Sequence, residues 1–155
     1  MTSLAPGDKA PDFSLPGDGG TTLSLASAAG KKLVLYFYPK DDTSGCTQEA
    51  KEFNALRAEF AAAGTEIIGV SPDSVASHAK FRKKYDLGFA LAADEGKTML
   101  EAYGVWVEKS MYGRKYMGVE RTTFLIDAAG TIIHVWSKVK VPGHVDEVLA
   151  RAKSR

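Results

Sequence analysis

The chain has a single cysteine among its 155 residues, so no internal disulfide can form, and none of the staples typical of small secreted domains is available. It also lacks an excess of either charge. Twenty Lys and Arg stand against nineteen Asp and Glu, with no basic block, which argues against nucleic acid or an anionic membrane as a partner. There is no apolar run of membrane-spanning length, and the opening Met-Thr-Ser-Leu-Ala-Pro-Gly-Asp is not a basic and apolar signal segment. A cytoplasmic protein is expected. No Cys-x-x-Cys pair is present, and His78, His134 and His144 have no ligand partner at motif spacing, so no metal site or cofactor is expected. Trp106, Trp136 and the tyrosines lack the basic stripe of a single-strand binding platform and read as core and rim packing.

What is present centres on that cysteine. Leu33-Val34-Leu35-Tyr36-Phe37-Tyr38 is an unbroken run of strand-forming type. After Cys46, Ala50, Phe53, Leu56 and Phe60 recur at helical spacing, which predicts a helix closing near Ala63-Gly64. Cys46 therefore sits where the end of a buried strand meets the first turn of a helix, a favoured ligand site in open α/β sheets. Unpaired N–H groups at a helix start stabilise a thiolate. From spacing alone the thiol is either a nucleophile or a small buried hydrophobe.

Along the rest of the chain, Gly19-Gly20 is expected to join two short edge strands, with a helical turn from Ser24 to Ala29. Glu66–Val70 reads as a second buried strand, and His78, Phe81 and Tyr85 as the inner face of a helix. Phe89–Leu91 is a short extended piece; Met99, Leu100 and Tyr103 line a short helix. Val105 to Gly118 is read only as a strand or loop. Thr122–Ile126 and Thr131–Trp136 form strands joined by Asp127-Ala128-Ala129-Gly130, and a final helix follows Pro142. The expectation is one α/β domain over residues 1–155, a mixed central sheet with helices on both faces and an N-terminal hairpin.

These residues carry a resemblance. Tyr36-Phe37-Tyr38-Pro39-Lys40, Thr43 with Gly45-Cys46-Thr47, Gly69-Val70-Ser71, Ser77-His78, Phe81 and Glu120-Arg121-Thr122-Thr123-Phe124 are similar to the peroxiredoxins of the bacterioferritin-comigratory, or Q, type, over nearly the full chain. The resemblance implies a thioredoxin-like fold and reduction of hydrogen peroxide and organic hydroperoxides by an attacking thiolate. It implies Cys46 as nucleophile, with the Arg121 guanidinium stabilising the thiolate and orienting the peroxide. On its own, Arg121 is an ordinary arginine at a strand entrance. Thr43 reads locally as a helix cap, and the resemblance adds a hydrogen bond to peroxide. Pro39 shapes the turn and, by resemblance, shields the sulfur from water. Lys40, Asp41 and Asp42 read as solvated loop charges without chemistry.

Two departures stand out. Ser44 occupies a position usually held by proline. Lys51 and Arg82 occupy the two positions where relatives carry a resolving cysteine. A one-cysteine enzyme follows, recycled by an external thiol: glutathione or glutaredoxin, or thioredoxin, acting on a monomer or weak dimer. Competing readings are a thioredoxin-like exchange protein, stalled here because Thr43 replaces the partner cysteine; a Cys-His acyl transferase, for which no local histidine and acid are visible; and a binding or chaperone-like domain on the same fold.

Overall fold

The computed structural model describes residues 2–154. Two short strands come first, β1 (Ser14–Pro16) and β2 (Thr22–Ser24), paired antiparallel around the left-handed Gly19 and Gly20, then a turn of 3-10 helix at Ala26–Ala28. The buried run is β3 (Lys32–Phe37), and the helix carrying Cys46 is α1 (Ser44–Ala55). A separate short helix α2 (Arg57–Ala62) leads to β4 (Thr65–Ser71), α3 (Val75–Tyr85), β5 (Ala90–Ala93) and α4 (Thr98–Ala102). The chain ends with β6 (Trp106–Met111), β7 (Arg114–Val119), β8 (Thr122–Ile126), β9 (Ile132–Trp136) and α5 (His144–Lys153).

The central sheet runs β5-β4-β3-β8-β9, with β3, β4 and β5 parallel and β8 and β9 antiparallel to their neighbours. Side-chain alternation along β3 divides the core. Leu33, Leu35 and Phe37 pack with α4 residues Met99 and Leu100, and with Phe13 and Phe124. Val34, Tyr36 and Tyr38 pack on the other face with Phe53, Phe60, Phe81 and the Val145–Val148–Leu149 stripe of α5. Both faces of β3 are therefore sealed, which is why its sequence does not alternate in polarity. The mixed sheet, the N-terminal hairpin and helices on both faces agree with expectation: α1, α2, α3 and α5 pack on one face, and the short α4 with the 3-10 turn, Phe13 and Val119 on the other.

Two segments differ from the sequence reading. The helix after Cys46 breaks at Leu56, where ψ is 6° rather than helical. There the Asn54 side chain donates to the Asp86 carbonyl and accepts from the Gly88 N–H, while Arg57 donates to the Asn54 carbonyl, so local polar bonds displace the helical ladder. Val105 to Gly118 is mostly a β-hairpin. Tyr112 and Gly113 both have positive φ (52° and 77°), the turn whose twist matches the strands it joins.

Gly69 fixes the packing behind the site. It lies opposite Tyr36 in the β3–β4 register, and a Cβ there would fall 2.8 Å from the Tyr36 ring and 2.9 Å from Leu91. Tyr36 cannot swing aside, because it is fully buried and stacked on Phe53 at 4.6 Å. Gly69→Ala is expected to lower unfolding stability by about 1–3 kcal/mol, as core overpacking does. A urea midpoint unchanged from the native protein would show that the ring can give way.

Candidate active site

Strand β3 delivers the chain to Pro39, half-buried, and the loop to Thr43 opens α1. Thr43 is the N-cap residue but its side chain makes no cap bond. Its exposed hydroxyl instead donates to the Lys40 carbonyl at 2.8 Å, leaving the oxygen lone pairs free to accept. Cys46, the third residue of α1, is 2% exposed. The helical ladder opens with the Thr47 N–H donating to the Thr43 carbonyl at 2.8 Å, so the N–H groups of Gly45 and Cys46 have no acceptor within the helix.

Arg121 reaches this turn from the entrance of β8. Its Nη2 donates to Cys46 Sγ at 3.2 Å, and its Nη1 donates to Glu49 Oε1 at 2.6 Å. The guanidinium passes over Gly45, where a Cβ would lie 3.4 Å from Nη2. Sulfur and carboxylate thus share one planar donor from residues three apart on α1, which places both on the same helix face. Glu49 escaped the sequence reading. Its only signal is a carboxylate one turn after the cysteine, a spacing common on any helix.

Glu49 is fully buried, and Oε2 has no hydrogen-bond partner. Burial pushes its pKa from 4.5 to about 7, against the lowering effect of Arg121. The folded protein therefore keeps this proton where the unfolded chain has lost it, and folded stability declines as pH rises from about 4.5 to about 7. Glu49→Gln, which cannot ionise, is expected to flatten that limb, gaining on the native protein by on the order of 2–3 kcal/mol across the interval. Denaturant unfolding at several pH values measures this; parallel curves for the two proteins would show that Glu49 ionises as it does in the unfolded chain.

The loop charges need correction. Asp41 is buried, not solvated: Oδ1 accepts from the Tyr38 hydroxyl at 2.6 Å, and Oδ2 accepts from Ser77 at 2.8 Å and faces His78 Nδ1 at 2.7 Å. The Asp41 N–H donates to Asp73, which also accepts from the Ser71 hydroxyl. The other His78 nitrogen faces the Ala92 carbonyl at 2.9 Å, so both ring nitrogens meet acceptors. Burial lowers the His78 pKa, but the Asp41 bond and charge outweigh it and the net shift is upward. Asp41, Asp73 and His78 are the one group of metal-compatible donors among the described residues. All three are engaged in these hydrogen bonds, and the arrangement acts as a latch between the cysteine loop and α3. Asp42 remains exposed and pairs with Lys84 and Tyr85.

His144, the first residue of α5, is buried with Nε2 2.9 Å from the Thr123 hydroxyl. Burial, with Arg121 adding to it, lowers its pKa to about 4, so the ring stays neutral and adds no positive charge beside the guanidinium. His134 lies on β9 with its ring 4.3 Å from that of Trp136.

The site is thus a buried thiol at a strand–helix crossing, bound by an arginine 75 positions away. The model of the AhpC/TSA family matches residues 6–135. The chain belongs to that family. It is 53% identical over 149 residues to the putative peroxiredoxin bcp of Coxiella burnetii, covering 96% of this chain and 99% of that one. Peroxiredoxin Bcp of Bacillus subtilis is 50% identical over 147 residues, covering 95% and 94%. Among solved structures, Xanthomonas campestris Peroxiredoxin Q superposes with a TM-score of 0.89 at 46% identity, covering 98% and 96%. A cysteine-to-serine mutant of Xylella fastidiosa PrxQ gives 0.93 at 39% identity, covering 99% and 98%. The fold is thioredoxin-like, and peroxiredoxins are thiol-dependent peroxidases.

Proposed function

We propose that the chain reduces hydrogen peroxide and organic hydroperoxides with Cys46 as the attacking thiolate, assisted by Arg121, Thr43 and Pro39. The observation that carries this reading is the 3.2 Å bond from Arg121 to the sulfur, made by a guanidinium whose other arm is anchored on buried Glu49. Sγ attacks the distal peroxide oxygen and the O–O bond breaks. Sulfur becomes a sulfenic acid, and the leaving alkoxide or hydroxide takes a proton to give alcohol or water. Negative charge moves from sulfur to the leaving oxygen during this step, so fixed donors near both stabilise the transition state more than the bound peroxide. The Thr43 hydroxyl, committed as a donor to Lys40, can accept the peroxide O–H. Pro39 shapes the wall without offering an N–H of its own. For organic substrates, support comes from the Xanthomonas campestris Bacterioferritin Comigratory Protein, 45% identical, whose structure was solved to explain its alkyl peroxide reduction activity.

The chain holds no second cysteine, so the sulfenic acid is resolved by an external thiol. Glutathione-type recycling ranks ahead of a protein dithiol such as glutaredoxin or thioredoxin, because a small thiol reaches a 2%-exposed cysteine more readily. We place it as a monomer or weak dimer, and a lone cysteine suits the reducing cytoplasm. The test is to mix the reduced protein with a small excess of hydrogen peroxide and no reductant. One equivalent should disappear in the first, fast phase, before slower further oxidation of the sulfur, and none with Cys46→Ser. Undiminished peroxide over the native protein would leave only a binding domain on this fold.

A further inference from the structure

The β6–β7 hairpin carries all the exposed large apolar side chains of the described residues: Met111, Tyr112, Tyr116 and Met117. They crowd into its tip, where Tyr112 in the turn is 99% exposed. The hairpin pairs with no other strand, and every residue from Ser110 to Met117 is exposed, so the tip projects from the body. A concentration of apolar surface of this kind marks an interaction site. The same stretch holds Arg114 and Lys115 and no acid, while Glu108 and Lys109 just before it cancel in charge. Lys115 lies 3.6 Å from Glu108 with both side chains largely in water, a weak pair, and Arg114 has no ion pair among the described residues. The even charge of the whole chain hides this local excess.

The register decides what such a tip fits. Met111, Arg114 and Tyr116 belong to one face of the hairpin, Lys115 and Met117 to the other, and Tyr112 stands at the end. Apolar and cationic groups therefore surround the tip rather than forming one flat patch. A folded partner would need a socket enclosing both faces. A bilayer interface is fluid and closes round a convex tip without one. A second copy of the chain would set Arg114 and Lys115 against their own kind. The residue types suit the interface as well. Tyrosine seats its ring at headgroup level with the hydroxyl in water, methionine is flexible and apolar, and Lys and Arg stems carry their charge out to phosphate. We infer that the tip of the β6–β7 hairpin is a docking surface for an anionic lipid bilayer, with Met111, Tyr112, Tyr116 and Met117 entering the interface and Arg114 and Lys115 meeting lipid phosphates. Apolar burial and charge, each weak alone, together give reversible peripheral binding. Docking uses neither Cys46 nor its reductant, so it stands or falls apart from the peroxidase reading. β7 runs from the tip to Val119, two residues before Arg121, which keeps the site within a strand's length of the membrane.

The test is cosedimentation of the native protein with vesicles of phosphatidylcholine alone, and of two parts phosphatidylcholine to one of phosphatidylglycerol. Binding at low salt should favour the anionic vesicles by roughly tenfold, the scale of two exposed cations near such a surface. Added salt should erode that preference by screening. Arg114→Gln with Lys115→Gln should abolish it, and Met111→Ser with Tyr112→Ser should weaken binding to the anionic vesicles by roughly tenfold. All four positions are exposed and outside the site, so both double variants should consume peroxide at the native rate, which checks that they are folded. Equal binding of the native protein to both vesicles, or binding to neither, overturns the inference whatever the variants do. Vesicle binding that neither pair of substitutions weakens places the contact elsewhere on the chain and also overturns it. If light scattering shows a dimer that Met111→Ser with Tyr112→Ser disperses, the tip meets a second copy and the assignment is wrong. It is equally wrong if these variants leave vesicle binding as it was and slow recycling by a protein dithiol.

Discussion

Arg121→Met is expected to slow peroxide reduction by about 10²–10³-fold, the usual cost of removing a preorganised donor from a developing negative charge. Methionine keeps much of the stem volume and removes every donor. The sulfur loses its 3.2 Å bond and the leaving oxygen loses its fixed positive charge. The variant also leaves Glu49 buried without its partner, which as a bare charge would cost about 3–5 kcal/mol. With its pKa already about 7, Glu49 escapes most of that cost by taking up a proton. The catalytic loss should therefore far exceed the loss in stability, and Arg121→Met combined with Glu49→Gln should fold at least as well and remain as slow. Stopped-flow oxidation under excess peroxide, alongside denaturant unfolding, separates the two effects. Native activity in Arg121→Met would remove the residue from the site.

Much of this was legible in the sequence, and the parts that were not share a cause. β3 and α1 were legible because an unbroken apolar run and a 3.6 period are local signals, and Cys46 sits at their junction. The β6–β7 hairpin was not. Its turn is Tyr112-Gly113 rather than the Asn-Gly of common hairpins, and its outer half is exposed on both faces, so no alternation in polarity marks the strands. Asp41 was misjudged because a carboxylate among Lys40 and Asp42 looks solvated. Its burial depends on Ser77 and His78, brought from α3 only by the fold. Glu49 was missed for the same reason, since its meaning comes from Arg121, 72 positions away. Local pattern located the nucleophile; the groups that tune it are set by tertiary contact.

Treated with excess peroxide and no thiol, the protein should accumulate Cys46 carrying two or three oxygen atoms, with no disulfide in the monomer. The sulfenic acid has one route forward and one back: further oxidation by peroxide, or capture by a thiol. Capture within the chain is closed, because the chain holds no second cysteine. Solved structures of Xanthomonas campestris Peroxiredoxin Q include cysteine-to-serine mutants at two different positions; this chain has one cysteine in all. Arg82 is itself built into the fold, donating to the Leu87 carbonyl at 3.0 Å and to Asp18 at 3.2 Å, so the end of α3 is tied to the loop after β1. With the Asp41–His78 latch at the other end, little in the structure favours unwinding around the cysteine. Capture by a second copy would require two sulfurs, each on a residue 2% exposed, to approach with Cα atoms about 4.4–6.8 Å apart. Adding glutathione before the peroxide should replace the oxygen adducts with a mixed disulfide and restore turnover. Intact mass and non-reducing electrophoresis follow both arms. Rapid formation of a Cys46-linked dimer that thioredoxin reduces at the rate of turnover would make the dimer the working oxidised state and end the case for external resolution.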